Sequence, residues 1–587
     1  MGIKGFVMFS RSILVLTFCL LLGGIVVAQD PPLPTASPTP FATDKTGTPP
    51  EKVGPVPPVA PLYKSNERDI PELSRVGVDM ADQRPLSLND SIVMALENNR
   101  DIEVSRKNVR IAEFDLLAAR GVYEPRFTGQ LYYDRSTVPN VSIFSNIPTT
   151  TQGTLVGNSS LTAFIPNFGT QIATTFNNQR VTTDNPISIL SPQFNSGLGV
   201  SITQPLLRGR AMDPQRRNIE IAKRNLSLTD AQFRQKAIEI VTNVERAYWD
   251  LFYALRNLGV QKDGVRDAKA QLEHNRRLVD EGQLAPIDIV AAETQVANYE
   301  GAVYDALNLV NVAENALKNF ISPNRRADIW NEAITPTDQV RVEVPTVSLE
   351  QAMTTAILNR PELDLNKVQK DINEVDRRYY NSLRKPQIDF VGSYNSAGIG
   401  GVENPNFNSP FCLTSPDPAQ CNAALIQPVM QNIGAPSSVY SDIFANKYPT
   451  YRFGIQFNLP IFGDKTARAQ YGRSLVEGER IDTQRQALEQ AIQVEVRNAL
   501  QVVKTAESRL RFASIARENS DKQFESERRK LDSGQSDIYR VLERQTALTT
   551  ARSNELRAQT ELNKAIADLE RATGNSLKAN GVTPKVK

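Results

Sequence analysis

Apolar positions along this chain recur with two periods, and the order of those periods is run through twice. Residues 86–125 are matched without a gap by residues 347–386, with Ala95 on Ala356, Asn98 on Asn359 and Glu113 on Glu374, at a constant offset of 261. Pro205 then falls on Pro460, and Val244, Gly282 and Leu317 fall on Val496, Gly534 and Leu569. A duplication of this size implies two units that bury the same faces against the same kind of neighbour. In each unit a helix opens on what looks like a capping box, Ser87 with Asp90 and Ser348 with Gln351. Asn98-Asn99 and Asn359-Arg360-Pro361 interrupt it, because a proline forces its predecessor out of helical geometry. A short helix therefore precedes a longer one, over 101–122 and 362–383.

At Pro125 and Pro386 the period changes from 3.6 to 2. Phe127, Gly129, Leu131 and Tyr133 alternate with Thr128, Gln130, Tyr132 and Asp134; Ile388, Phe390, Gly392 and Tyr394 alternate with Asp389, Val391 and Ser393. Returning strands carry Leu198, Val200 and Ile202 in the first unit, and Tyr451, Phe453, Ile455, Phe457 and Leu459 in the second. One apolar and one polar face suit a strand between lipid and a wet lumen. They suit a half-buried soluble sheet equally well. The loops between the strands, roughly 136–197 and 395–450, are rich in Asn, Ser, Thr, Gly and Pro. The first holds a further hairpin, 160–165 and 170–176, with no counterpart in the second: an exposed decoration or an extra pair of wall strands.

After Asp213-Pro214, a cap followed by the proline favoured at the first helical position, helical period runs to about Asp280; its twin runs over 465–532. Rods of this length reach on the order of 100 Å. Val241, Val244, Tyr248, Leu251, Leu255 and Leu258 alternate spacings of three and four, as do Val496, Ala499, Val503, Ala506, Leu510 and Ala513, which is a coiled-coil seam. Glycine turns at Gly282 and Gly534 send helices back to about Phe320 and Thr573. A returning and an ascending helix laid end to end nearly match one rod, with room left for a belt that includes 322–346.

Composition narrows the class. Hydrophobic residues are 40% of 587, thin for one compact core, and 67 Lys plus Arg against 65 Asp plus Glu leave no basic field, so no nucleic-acid partner is expected. Lys4, Arg11, an apolar run over 13–27 and Val26-Val27-Ala28 read as a secretory signal. The run is shorter than the roughly 20 residues of a membrane helix, and Cys19 sits inside it behind Phe18, which argues against lipid attachment. Eleven prolines over 30–62 make an extended tether. Cys412 and Cys421, nine positions apart, form a small disulfide in an oxidising compartment or remain two free thiols. With no later apolar span, an exported chain is periplasmic, secreted, or inserted as a barrel.

The order of elements, given twice, resembles the TolC-like outer-membrane efflux protein family over about 86–574. The particular echoes are Ala95-Leu96-Glu97-Asn98-Asn99 with Ala356-Ile357-Leu358-Asn359-Arg360-Pro361, the strand-ending Gln204-Pro205-Leu206 with Leu459-Pro460-Ile461-Phe462, and Val541-Leu542-Glu543-Arg544-Gln545. The resemblance implies an α plus β-barrel membrane protein with internal duplication. It implies a homotrimer whose protomers give four strands each to a 12-stranded barrel in outer-membrane lipid, continued by a periplasmic coiled-coil tunnel. Partners implied are a periplasmic adaptor and an inner-membrane transporter. Adaptor contact would fall at the tips, at Gly282, Ala285 and Asp288 and at Gly534, Ser536 and Asp537. Glu543 matches a position of the family's acidic pore rings and is otherwise an ordinary solvated residue; Arg540 stands where another acid is usual, and Ser536 where a linking Arg occurs.

The expected organisation is a signal peptide (1–28), a Pro-rich tether (29–85), a first repeat (86–330), an equatorial linker (331–346), a second repeat (347–574) and a tail (575–587). An enzyme is not expected. The single histidine, His274, lies among Glu273, Asn275 and Arg276 with no nucleophile or metal-ligand spacing around it, no phosphate-binding loop is present, and no cofactor is implied. The competing reading is an exported coiled-coil scaffold whose strands form a soluble cap.

Overall fold

The computed structural model describes residues 74–141, 147–340, 344–461 and 463–582. The expected signal peptide with Cys19, the tether before residue 74 and the last five residues of the tail lie outside the described residues. Strand β1 (Asp79–Leu86) leads into helices α1 (Leu88–Asn98) and α2 (Arg100–Arg120). Four strands follow: β2 (Arg126–Pro139), β3 (Thr149–Ile165), β4 (Thr170–Thr183) and β5 (Leu190–Pro205). The rod α3 (Pro214–Asp280) then turns into α4 (Ile287–Ile321), and β6 (Glu332–Pro336) closes the first half. The second half repeats the plan as α5 (Leu349–Asn359), α6 (Pro361–Leu383), β7 (Gln387–Glu403), an insert with α7 (Pro418–Ile433) and α8 (Ser438–Phe444), β8 (Tyr448–Asn458), the rod α9 (Lys465–Asp532), α10 (Ile538–Ala572) and the short α11 (Ser576–Ala579).

Local chemistry starts several helices where the sequence expects them. The Ser87 hydroxyl accepts from Asp90 N, and Ser348 with Gln351 forms a reciprocal capping box. Asn99 caps α2 through Asp101 N and Ile102 N, and Asp213 caps the first rod through Arg216 N.

The strands β2-β3-β4-β5-β7-β8 form one antiparallel sheet in that order. The expected four strands per copy are therefore six. The hairpin read as 160–165 and 170–176 is a full pair of strands within this sheet, with β3 bonded to β2 and β4 bonded to β5. Its turn is tied to the start of the first rod: Arg216 donates to Asn167 O at 3.2 Å, and Gln204 donates to Phe168 O at 3.2 Å. Register places Phe127 opposite Leu161, Val200 opposite Tyr394, Gly392 opposite Phe453 and Phe390 opposite Ile455. Directly opposed residues share a face, so one face carries this apolar set. The other carries Gln130 opposite Asn158, Ser201 opposite Ser393, and Asp389 opposite Gln456.

The helices form a strip. The first rod packs on α2 and α6 near the sheet and on α4 and α10 toward the turns, while the second rod packs on α6 and α10. The order is thus α2-α3-α6-α9 at one level and α4-α3-α10-α9 at the other. The main core surrounds the first rod, with Phe233, Tyr248, Trp249, Leu251 and Phe252 against Val310, Leu317 and Ile321. Midway, the end of the expected tether and part of the expected linker meet as a parallel pair, β1 with β6. Here Tyr248 donates to Asp338 Oδ2 at 2.5 Å and to Leu86 O at 3.2 Å. Burial and the Asp338 carboxylate push the Tyr248 hydroxyl well above its usual range, which keeps its proton in place for those bonds. Glu314 lies between Arg75, at 2.5 Å, and Lys318, at 2.6 Å, with all three side chains almost fully buried.

Candidate functional site

Both rods end in the same local geometry. At the first, Gly282 takes a φ of 75°, Gln283 N donates to Leu278 O at 2.8 Å and Gly282 N donates to Val279 O at 2.9 Å. At the second, Gly534 takes 72°, Gln535 N donates to Lys530 O at 2.8 Å and Gly534 N donates to Leu531 O at 2.9 Å. Each is a complete Schellman closure, in which a left-handed residue lets the chain satisfy the last carbonyls, and glycine enters that region without steric cost. A Cβ added to either glycine would meet nothing within 4 Å. The turns are thus set by backbone chemistry and their outer surface is free.

The two tips lie side by side. Leu531, Ile538, Val541 and Leu542 of the second form a small core against Ala291 of α4. Gln295 donates to Thr546 at 2.9 Å, and His274 Nε2 faces Asp532 Oδ1 at 3.2 Å. The sequence-predicted tip residues divide by role. Asp288, in the first turn of α4, accepts from Ala285 N at 3.1 Å and ties the turn back, while Asp537 caps α10 through Arg540 N at 3.0 Å. Ser536 donates its hydroxyl to Glu527, and together with Lys530 this holds the Glu527 carboxyl below its usual range. Arg540 pairs with Asp537 at 3.3 Å, both well exposed.

Glu543 is exposed and has no ion pair among the described residues. It stands with Tyr539 and Leu542 on a groove of 1110 Å³ whose other walls are Phe512, Ala513 and Ala516 of the second rod and Ala291, Thr294 and Gln295 of α4. Arg540 is not among the residues that line it. Far from the tips, Cys412 and Cys421 are bonded with their sulfurs 2.04 Å apart, in the insert between β7 and β8. Among the described residues no group of three or more His, Cys, Asp or Glu converges on a metal position, and no helix is long and apolar enough to cross a membrane.

Sequence reasoning left room for the belt but missed the buried Arg75, Glu314 and Lys318 cluster within it. Lys318, four residues after Glu314 on an otherwise apolar helix face, was the available signal. Its partner Arg75 carried none, lying in a stretch without periodicity.

A strip of helices as long as its rods, a six-stranded sheet with opposed apolar and polar faces, and paired turns at the far end define a channel-forming architecture of the outer membrane. The chain belongs to the outer membrane efflux protein family, whose match spans residues 91–321 and 429–575. Its seat is the outer membrane, with the helical part in the periplasm. The solved structures similar to it include a membrane protein from Pseudomonas aeruginosa (15% identity, 85% of this chain and 91% of that chain, TM-score 0.57). They also include the Campylobacter jejuni CmeC outer membrane channel (15%, 83% and 86%, 0.57) and the open state of the Neisseria gonorrhoeae MtrE outer membrane channel (16%, 84% and 89%, 0.54). No curated protein matches the sequence.

Proposed function

We propose that copies of this chain close on one another into a duct that carries substrates passively across the outer membrane, with an adaptor and an inner-membrane pump docked to the periplasmic tips. One observation carries the reading: the single chain ends open on both sides at every level. Strands β2 and β8 are the two edges of the sheet, each paired on one side only, and an unpaired strand edge recruits another strand. The helical strip likewise ends on α2 and α4 at one side and on the second rod at the other. Apolar side chains stand exposed on both ends: Val104, Ile111, Phe114 and Leu117 on α2, and Val494, Val502, Phe512 and Ile515 on α9. Pairing β8 of one copy with β2 of the next, and α9 with α2 and α4 of the next, removes both liabilities at once.

The family resemblance supports three as the number of copies. Three copies of a six-stranded sheet make eighteen strands rather than twelve, in the range where a barrel leaves an aqueous lumen. Substrate choice then rests with the pump, because the polar face offers scattered amides, hydroxyls and a few charges such as Asp389 and Arg452 rather than a shaped pocket.

The test is assembly and conductance. Protein extracted from the outer membrane in mild detergent is expected to run as a heat-modifiable trimer and to conduct ions in planar bilayers. Phe512→Asp is expected to leave a folded chain that no longer assembles, since each copy would lose the burial of one aromatic, worth about 1.5–3 kcal/mol. Single chains or pairs as the only species, release by osmotic shock, or unaltered assembly of the variant would each overturn the scheme of closure.

A further inference from the structure

The insert between β7 and β8 sits on the wrong side of the sheet to serve as a lid. Helix α8 lies against Ser396, Gly398 and Gly400, which share a face with Tyr394 and, across the register, with Tyr451 and Phe453. Toward the helical end of the sheet that face carries Val200, Phe390, Phe453 and Ile455, whereas a lid over the lumen would meet the face of Ser393, Asn395 and Gln456. The fit depends on missing side chains. A Cβ at Gly398 would overlap Val439 O, and one at Gly400 would come within 2.7 Å of Ala435 O. The helix is then fastened: Ser396 donates to Ile443 O at 2.7 Å, Asn178 donates to the Tyr440 hydroxyl at 2.6 Å, the Tyr440 ring stacks on Phe176, and Tyr394 donates to Asn446.

The exposed residues of α8 are Tyr440, Ser441 and Phe444, with no charge among them. Phe444, at its end nearest the middle of the sheet, is 82% exposed. The whole stretch from Asn404 to Lys447 has three charged side chains, Asp417, Asp442 and Lys447, and the last two pair at 3.5 Å. Beside Phe444 in height, Tyr394 and Tyr451 stand opposite each other on the same face. Tyrosines at the end of an apolar band mark the depth where a barrel wall passes from hydrocarbon to headgroups.

We propose that this insert is an outer-leaflet collar: α8 is held on the outside of the barrel wall so that Phe444 enters the acyl-chain boundary of the surrounding lipid, beside the band that includes Phe453. The occupant is the acyl chains of the outer leaflet, argued from the continuity of α8 with the lipid-facing side of the sheet and from the scarcity of charge. The insert therefore widens the footprint of the barrel in the membrane and leaves the mouth of the lumen to other loops. The proposal rests on the outer-membrane channel reading, and the test separates the two.

Three single variants of the full chain, Phe444→Trp, Phe453→Trp and Gln456→Trp, are reconstituted into phosphatidylcholine vesicles with and without bromine on the acyl chains. Trp249 and Trp330, both in the helical part, supply a constant background. Bromine is expected to quench the added indole at 444 to within about twofold of that at 453, because interfacial side chains reach roughly 5–10 Å into the headgroup and acyl boundary. The indole at 456, on the lumen face, is expected to be untouched. Quenching at 453 without quenching at 444 would overturn the collar and leave the channel standing. Quenching at neither would remove the membrane reading and the collar with it. Quenching at 456 as strong as at 444 would show that the two faces are not separated by a wall, and would also sink the proposal.

Discussion

The two halves of this chain share a plan and differ in how much of it each completes alone. Twenty-one residues of the first rod are buried, against nine of the second. The first rod carries Phe233, Tyr248, Trp249 and Phe252 into the main core; the second buries mostly Val, Ile, Leu and Ala, in narrow clusters. The cause is position. The first rod has neighbours on both sides throughout its length, while the second is the outer edge of the strip. Rods of 67 and 68 residues at matching places in the repeat have thus become a centre post and a seam. A duplicated protomer needs both, because it must hold together before assembly and still present an unsatisfied edge for assembly.

The belt sharpens this contrast most. In the first half Glu314 sits between Arg75 and Lys318, with side chains at most 4% exposed. In the second half Glu495 bridges Arg360 and Arg571 at 2.7 Å each, but it is 29% exposed and Arg571 is 41% exposed. Glu314→Ala strands two buried cations and is expected to cost about 3–5 kcal/mol. Glu495→Ala is expected to cost about 1 kcal/mol or less, because the site is partly wet and Arg360 keeps Glu362 at 3.1 Å. Denaturant midpoints of the two variants measured side by side are the check. Equal shifts would mean that the halves bear load alike.

The sheet tests whether the surplus strands of the first half are equal members of the wall. Leu161, on the added hairpin, and Phe453, on β8, both lie on the apolar face. Arginine at either position is expected to destabilise the inserted barrel by about 2–4 kcal/mol if the site is near mid-bilayer. Gln456→Arg, on the opposite face, is expected to change stability little and to shift ion selectivity in planar bilayers. A harmless Leu161→Arg beside a damaging Phe453→Arg would make the hairpin a decoration after all.

The rods were legible to within a residue or two, because sixty-odd residues of one period average out local exceptions and Asp213-Pro214, Gly282 and Gly534 punctuate their ends. The tips were legible for the same reason. The wall was not. Most of β3 before Leu161, over 149–154 and 157–160, is polar or glycine on both faces, so alternation vanishes where register alone defines the strand. The strand β1, DMADQRPL, has no pattern of its own and is a strand because β6 lies alongside it. Helix α7 contains Pro428 and follows a run of prolines, which hides it in what reads as a loop. The roles of Glu543 and Arg540 were visible only through resemblance, since one chain shows a groove wall and a solvated pair.

A modest and equal effect in stability is expected where the halves are most alike. Gly282→Leu and Gly534→Leu each force a side chain into a left-handed conformation with open space around it, so each should cost about 1–2 kcal/mol, confined to the turn. Equal costs follow from equal closures. Function need not follow the same symmetry, because the flanks differ: the first tip presents Gln283, Leu284 and Pro286, the second Gln535 and Ser536 beside Glu527 and Lys530. If both tips seat the adaptor, the double variant keeps its oligomer and its conductance but loses capture by purified adaptor, and each single variant loses part. Loss from one variant alone would assign the joint to that tip, and full capture by the double variant would place the adaptor elsewhere on the helical wall.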